Sequence, residues 1–223
     1  MSGIDLHTHT VYSDGTFTPA ELVRLALERD LDVLAVTDHD STEGLDEAYA
    51  AADGTGLEIV AGVEFSTVSD GHGVHVLAYW VDVANAEFQG ELGRLRDDRF
   101  RRGERMVERL QELGYPVSFE RVREIAKGKN IVRPHVAQAL VDAGVVPTVE
   151  DAFTRDLIAD GGRAYVEKHA LDPIDAIALI KRAGGLAVVA HPGLHEEGLG
   201  VPDDLIERMA AAGLDGIEAA HSD

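Results

Sequence analysis

Apolar and polar residues run along this chain in short blocks whose period changes. From Ile4 to His9 the period is two: Ile4 and Leu6 alternate with Asp5, His7 and His9, which predicts a strand. Val33-Leu34-Ala35-Val36 is a continuous apolar run of the buried-strand type. Leu57 to Val63, Val74 to Trp80, Leu186 to Ala190 and Gly216 to Ala220 read as further strands. After the first strand the period lengthens. Thr18-Pro19-Ala20-Glu21 offers a Thr N-cap, a Pro at the first helical position and a Glu that closes a capping box; Leu22, Leu25 and Ala26 continue the helix. A second helix is expected from about Glu43, and Asp172-Pro173 opens the one before the Leu186 strand. Strands alternating with helices predict a parallel sheet, and this many units favours a closed barrel over an open sheet.

Residues 82–162 break the alternation. Phe88, Leu92, Leu95, Met106, Leu110 and Leu113 have helical spacing, and Gly114 suits the helix end. Ser118 to Lys127 and Arg133 to Ala143 read as two more helices, and Thr148-Val149-Glu150-Asp151 caps a short one. The expected organisation is a barrel from residues 1–81 and 163–223, with an all-helical insertion at 82–162.

The chemistry gathers at strand ends. His7 and His9 share one face of their strand, and Ser13-Asp14-Gly15 lies on the loop that follows. Thr37-Asp38-His39-Asp40, Gly62-Val63-Glu64 and Ala190-His191-Pro192 close three other strands, and His75 lies near the start of a fourth. In barrel enzymes the C-terminal strand ends carry the active site. One histidine there is more often a satisfied core or surface residue; two at spacing two, followed by Ser-Asp-Gly, argue against that. Imidazoles and carboxylates from several strands make a polynuclear metal site, and such sites hydrolyse phosphate esters.

The ordered set His-Thr-His-Thr with Ser-Asp-Gly, Thr-Asp-His-Asp, Gly-Val-Glu-Phe-Ser, Arg133-Pro134-His135 and Ala-His-Pro resembles the PHP (polymerase and histidinol phosphatase) superfamily, over Ile4 to His221. Order and spacing are most similar to the branch of 3′,5′-nucleotide bisphosphatases and RNase AM. The resemblance implies an α/β fold, a distorted (β/α)7 barrel, with a trinuclear centre. His7, His9 and a bridging Glu64 would serve one ion, Glu64, His75 and His191 a second, and Asp14 and His39 a third. Glu64, His39 and Asp14 are thereby also the expected catalytic residues. Mixed N/O donors and the absence of Cys suit Mn²⁺ first, with Fe²⁺ or Zn²⁺ as alternatives. The family's terminal Gly-Ser-Asp-x-His-Gly segment would add an Asp and a His; it has no match here, and the sequence ends at His221-Ser222-Asp223. A barrel lacking its last part is the expectation.

The expected reaction is hydrolysis of phosphate from a 3′,5′-bisphosphorylated nucleotide or from the 5′ end of a short RNA. A small-metabolite phosphatase of the histidinol phosphate type and a non-catalytic metal-binding module are the alternatives. For substrate phosphate the candidates are Arg133 and His135 at a helix start, Arg99 and Arg102, and His221 at the end of the last strand. Seven arginines run from Arg94 to Arg109 interleaved with acids, and a solvated helix face with i,i+4 pairs accounts for most of them. Asp38 and Asp40 flank His39 and are expected to orient its ring. Glu218 reads equally as a site residue or a buried structural carboxylate. His72, in Asp70-Gly71-His72-Gly73, is expected to be exposed, and His169 and His195 are loop residues.

Composition then narrows the class. The 223 residues suffice for one catalytic domain. A formal charge of −21 argues against a large nucleic-acid-binding surface. No apolar run reaches membrane-spanning length, no signal peptide is read, and the absence of Cys agrees with a cytoplasmic address.

Overall fold

A computed structural model describes residues 3–127, 131–167, 170–193 and 200–219. The chain divides into two compact units, residues 1–92 with 170–223 and residues 93–169. His169, His195 and His221, and the expectation about the segment that follows His221, lie outside the described residues.

The first unit is built on one curled sheet, a six-stranded half-barrel. Its strands, in sequence and spatial order, are β1 (Gly3–Asp5), β2 (Leu31–Val36), β3 (Glu58–Ser69), β4 (His72–Tyr79), β5 (Leu186–Val189) and β6 (Gly216–Ile217). Pairing is parallel from β1 to β3 and between β5 and β6, but β4 is antiparallel to both neighbours. The sheet is therefore mixed where strand–helix alternation predicts a parallel one. The cause is local. Asp70 and Gly71 both have positive φ, 49° and 82°, so Asp-Gly makes a two-residue turn that returns the chain at once, with Ser69 opposite His72. β3 thus runs on past Glu64 to Ser69 instead of stopping at Val63.

Side-chain alternation sorts the sheet into two faces. Leu34 and Val36 of β2 and Ala61 of β3 pack with Leu22, Val23, Leu45 and Ala48 from helices α1 (Pro19–Glu28) and α2 (Leu45–Ala52). Ala35, Val60, Leu77, Tyr79 and Ala190 fill the inner face. α1 starts as its sequence predicts: Thr18 Oγ1 accepts from the Glu21 N–H, and Glu21 returns the bond to the Thr18 N–H. Asp172 caps the helix Pro173–Arg182 through the Ile174 N–H. A helix over Asp203–Ala211, with Leu205 and Met209 buried, has no counterpart among the sequence expectations. Gly62 on β3 has no room for a side chain: a Cβ there would lie 2.6 Å from Thr37 Cγ2 and 3.0 Å from the Val36 carbonyl oxygen.

The second unit is helical. The division between the units falls within α3 (Ala86–Glu112), which is followed by α4 (Phe119–Ile125) and α5 (Arg133–Asp142). Met106, Val107, Leu110, Val122, Val136, Leu140 and Ile158 form its core. Among the described residues no helix is long and apolar enough to cross a membrane.

Candidate metal centre

Glu64 organises the site. It sits within β3, on the face shared with Val60, and is 1 % exposed. Five imidazole nitrogens surround its carboxylate. Oε2 has His7 Nε2 at 3.3 Å, His9 Nε2 at 3.1 Å and His39 Nδ1 at 3.1 Å. Oε1 has His75 Nδ1 at 2.8 Å and His191 Nε2 at 3.1 Å. The two oxygens therefore serve two sets of histidines. Burial penalises charge on Glu64, but the histidines, His39 first, outweigh it and hold the carboxyl well below its ordinary value.

The backbone explains how residues from five segments meet. β1 ends at Asp5, short of the strand expected through His9. Hydrogen bonds from the Thr8 N–H to Thr37 Oγ1 and from the Thr37 N–H to the Thr8 carbonyl carry the pairing onward and place His7 and His9 beside β2. Past β2, the Asp40 N–H donates to the Glu64 carbonyl and the Glu64 N–H to the Asp38 carbonyl, which sets His39 against Glu64. β4 is antiparallel, so its beginning reaches the same end of the sheet as the ends of the parallel strands. His75 lies opposite Ser66, and its carbonyl accepts from the Ala190 N–H next to His191. His191 has φ +30°, a conformation a non-glycine residue holds only when its surroundings impose it.

Asp14 stands at the rim, with Oδ2 3.5 Å from His39 Nε2 and Oδ1 3.4 Å from His9 Nδ1. Partial burial opposes its charge, yet His39 and His9 hold it well below the ordinary carboxylate range. The loop carrying it is pinned by Asp38. That carboxylate, 1 % exposed, accepts from the Thr10 N–H (2.7 Å), Thr10 Oγ1 (2.6 Å) and Ser13 Oγ (2.7 Å). Asp38 thus holds the loop and does not orient the His39 ring as expected, because neighbours on an extended chain point to opposite sides. Asp40 accepts from the Ser66 N–H. Gly15 is required in this loop, since a Cβ would lie 2.3 Å from the His9 carbonyl oxygen. Ser13 and Ser66 approach His9 and His39 at 3.3 and 3.4 Å; Thr10, Ser13 and Ser66 belong to the motifs, but nothing in the sequence assigns them these contacts.

These residues suit divalent cations. Among the described residues, ligand atoms within 4.8 Å of one another occur in three groups: His7, His9 and Glu64; His9, Asp14 and His39; His39, Glu64 and His75. His7 supplies the sharpest test. Its Nδ1 faces the Glu218 carboxylate at 3.0 Å, so that nitrogen carries the proton. In a neutral ring Nε2 then turns a bare lone pair toward Glu64 Oε2 and toward His9 Nε2 at 3.1 Å. Either a proton or a cation must lie between them. Accordingly, although burial lowers it, Glu64 and Glu218 raise the His7 pKa overall. The Tyr79 hydroxyl, buried near the same carboxylates and pushed up by burial first, donates to the Leu6 carbonyl at 2.7 Å and anchors the segment before His7.

Four of the candidate phosphate contacts, Arg99, Arg102, Arg133 and His135, belong to the second unit. Arg102 is 8 % exposed; its Nε donates to the Val166 carbonyl at 2.6 Å, and its guanidinium lies 5.3 Å from the Tyr165 ring centroid. Burial and then Arg133 push its pKa down. Arg133 opens α5, lies over Phe153 and Tyr165 at 5.7 and 5.9 Å, and pairs with Asp160 at 2.9 Å. His135 turns Nδ1 back to the Val132 N–H, closing the first turn of α5. Arg99 is half-buried on α3, and His72 is exposed.

Comparison with known proteins follows the same lines. The PHP domain family matches residues 5–89. A 3′,5′-nucleoside bisphosphate phosphatase from Chromobacterium violaceum is 38 % identical over 99 % of this chain and 77 % of its own length. The 5′-3′ exoribonuclease Rnm from Salmonella typhimurium is 36 % identical over 86 % of this chain and 66 % of its own. Among solved structures, a protein from Bifidobacterium adolescentis designated a metal-dependent phosphoesterase superposes with a TM-score of 0.89 at 38 % identity, covering 97 % of this chain and 77 % of that one. An amidohydrolase from Chromobacterium violaceum, solved with bound sulfate and no metal, gives 0.83 at 36 % identity, covering 97 % and 76 %. On this family match, this identity and this superposition, the chain belongs to the PHP family of phosphoesterases.

Proposed function

We propose that this chain is a metal-dependent phosphoesterase that hydrolyses phosphate from a nucleotide bearing 3′- and 5′-phosphates or from the 5′ end of a short RNA. The observation that carries the reading is the division of Glu64, whose Oε2 faces His7, His9 and His39 while Oε1 faces His75 and His191. A carboxylate divided in this way suits a bridge between two cations. His7 and His9 would hold one, His75 and His191 the other, and Asp14 with His39 a third, Mn²⁺ being the preferred ion. Such ions, when bound, neutralise charge on the phosphate and acidify water for attack. The protein's own part is to hold the donors still. Glu64 is fixed within a paired strand, and Asp38 fixes the loop bearing Asp14. Arg133 and Arg102, with Arg99 and His135, are the proposed phosphate contacts; a planar fork matches phosphate oxygens, and Arg102 brings a charge already stripped of water. His221 keeps its proposed substrate role from the sequence alone. We place the protein in the cytoplasm, on a composition without cysteine.

Names of relatives support the substrate class: a nucleoside bisphosphate phosphatase and two exoribonucleases named Rnm are among those at 35–38 % identity. A phosphoribosyl 1,2-cyclic phosphate diphosphodiesterase from Eggerthella lenta, 31 % identical over 98 % of this chain, keeps a cyclic phosphodiester within range. Turnover of the Mn²⁺-loaded protein on adenosine 3′,5′-bisphosphate, a 5′-phosphorylated oligoribonucleotide, histidinol phosphate and phosphoribosyl 1,2-cyclic phosphate tests the assignment. Highest kcat/KM on one of the first two is expected. Preference for either of the others would replace the substrate class, and turnover of none would leave a metal-binding module.

A further inference from the structure

One carboxylate outside the five-imidazole ring touches both halves of it. Glu218 follows β6 and is fixed by its own N–H, which donates to the Val189 carbonyl at 2.9 Å. Its side chain is 13 % exposed. Oε1 stands 3.0 Å from His7 Nδ1, and Oε2 accepts from the His191 backbone N–H at 2.7 Å. His7 and His191 are distant in sequence and serve different oxygens of Glu64: His7 Nε2 faces Oε2, and His191 Nε2 faces Oε1.

We infer that Glu218 is a positioning residue for the whole centre: with one carboxylate it fixes the His7 tautomer and holds His191 in its left-handed backbone conformation, and so sets the spacing between the two imidazole sets. The first action is chemical. A carboxylate that accepts from one ring nitrogen keeps the proton there, leaves the other nitrogen bare toward the site, and strengthens it as a donor. The second is geometric. At φ +30° His191 would relax toward ordinary backbone, and a short hydrogen bond to a carboxylate holds the amide in place. A carboxylate that merely supported the fold would need neither the ring nitrogen of one candidate ligand nor the amide of another.

The inference rests on the metal reading, and the experiment separates the two. Mn²⁺ affinity of the metal-stripped 223-residue protein is measured by titration for wild type, Glu218→Gln and Glu218→Asp, alongside the melting temperature of each without metal. An amide offers one acceptor oxygen to two N–H donors, so Glu218→Gln should weaken Mn²⁺ binding by about 10- to 100-fold. Glu218→Asp keeps the charge but is one methylene short, reaches one donor at a time, and should fall between. Either variant suffices if the other fails to fold. Affinity equal to wild type in a folded variant, whatever its melting temperature, would make Glu218 a purely structural carboxylate and overturn the inference while leaving the metal centre intact. A wild-type protein that retains no Mn²⁺ would overturn the metal reading and this inference with it.

Discussion

Glu64 in the half-barrel and Arg102 in the helical unit are both buried charges, and their neighbours treat them differently. Around Glu64 stand five imidazoles, each turning a ring nitrogen toward its carboxylate. Imidazole nitrogens and carboxylate oxygens are the donors that divalent cations take. Arg102 has an aromatic ring, a carbonyl, other arginines and Asp160 within electrostatic reach, and among the described residues no carboxylate oxygen stands at ion-pair distance from it. A guanidinium does not shed its proton, so it stays a charge that a nearby anion favours. On the proposed reading, nitrogen bases crowded on a buried carboxylate suit a cation, and a buried guanidinium near other guanidinia suits an anion.

The largest effect should come from the cation side. Glu64→Ala removes the group that both imidazole sets face, and should lower kcat/KM by about a thousand-fold or more, roughly 4 kcal/mol of transition-state stabilisation. Circular dichroism should show the fold retained. Stripping wild type with a chelator should do the same, reversed by added Mn²⁺. A Glu64→Ala protein with near-normal turnover would break the comparison at its first term.

On the anion side, Arg133→Ala should raise KM for a bisphosphorylated nucleotide at a cost on the order of 2–4 kcal/mol, while Mn²⁺ affinity stays as in wild type. The separation of the two readouts is the point: a cation-site variant moves metal affinity, an anion-site variant moves KM. Unchanged kinetics would return Arg133 to a structural ion pair with Asp160.

A smaller loss is expected from Asp38→Asn. The carboxylate accepts three hydrogen bonds in a buried setting, and an amide presents N–H groups where acceptors are required. Urea unfolding should show a destabilisation of about 2–3 kcal/mol. Mn²⁺ affinity should fall with it, because the His9–Asp14 loop loses its anchor. Equal stability would mean that the loop is held by its neighbours and that the cation site needs no buried acid behind it.

These residues differ in how far the sequence reveals them. His7, His9, His39, Glu64 and His191 lie at or after apolar runs, so strand periodicity points them to one end of a sheet, and the Thr18–Glu21 box marks a helix start without any fold; His75, near the start of its strand, reaches that end only through the direction of β4. Period two is silent about strand direction, however. β4 was readable as a strand but not as antiparallel, although Asp70-Gly71 is the turn pair that would have announced a hairpin. Glu218 meets His7 across 211 residues of sequence, and no local spacing encodes that contact. Arg102 is one of seven arginines on one helical stretch; only burial sets it apart, and the pattern suggested it no more strongly than Arg99.

The smallest expected effect bears on how the anion side is poised without substrate. Asp160, 53 % exposed, pairs with Arg133 at 2.9 Å and, if Arg133 takes its proposed role, would compete with an incoming phosphate for the same fork. An exposed ion pair is worth at most about 1 kcal/mol. Asp160→Asn removes the competitor and should lower KM for a bisphosphorylated nucleotide by roughly two- to five-fold, with kcat unchanged. The gain should shrink as salt is added, since salt screens the same attraction. If KM rises instead, Asp160 is orienting the guanidinium, and the anion site is then preorganised by a carboxylate much as the cation site is.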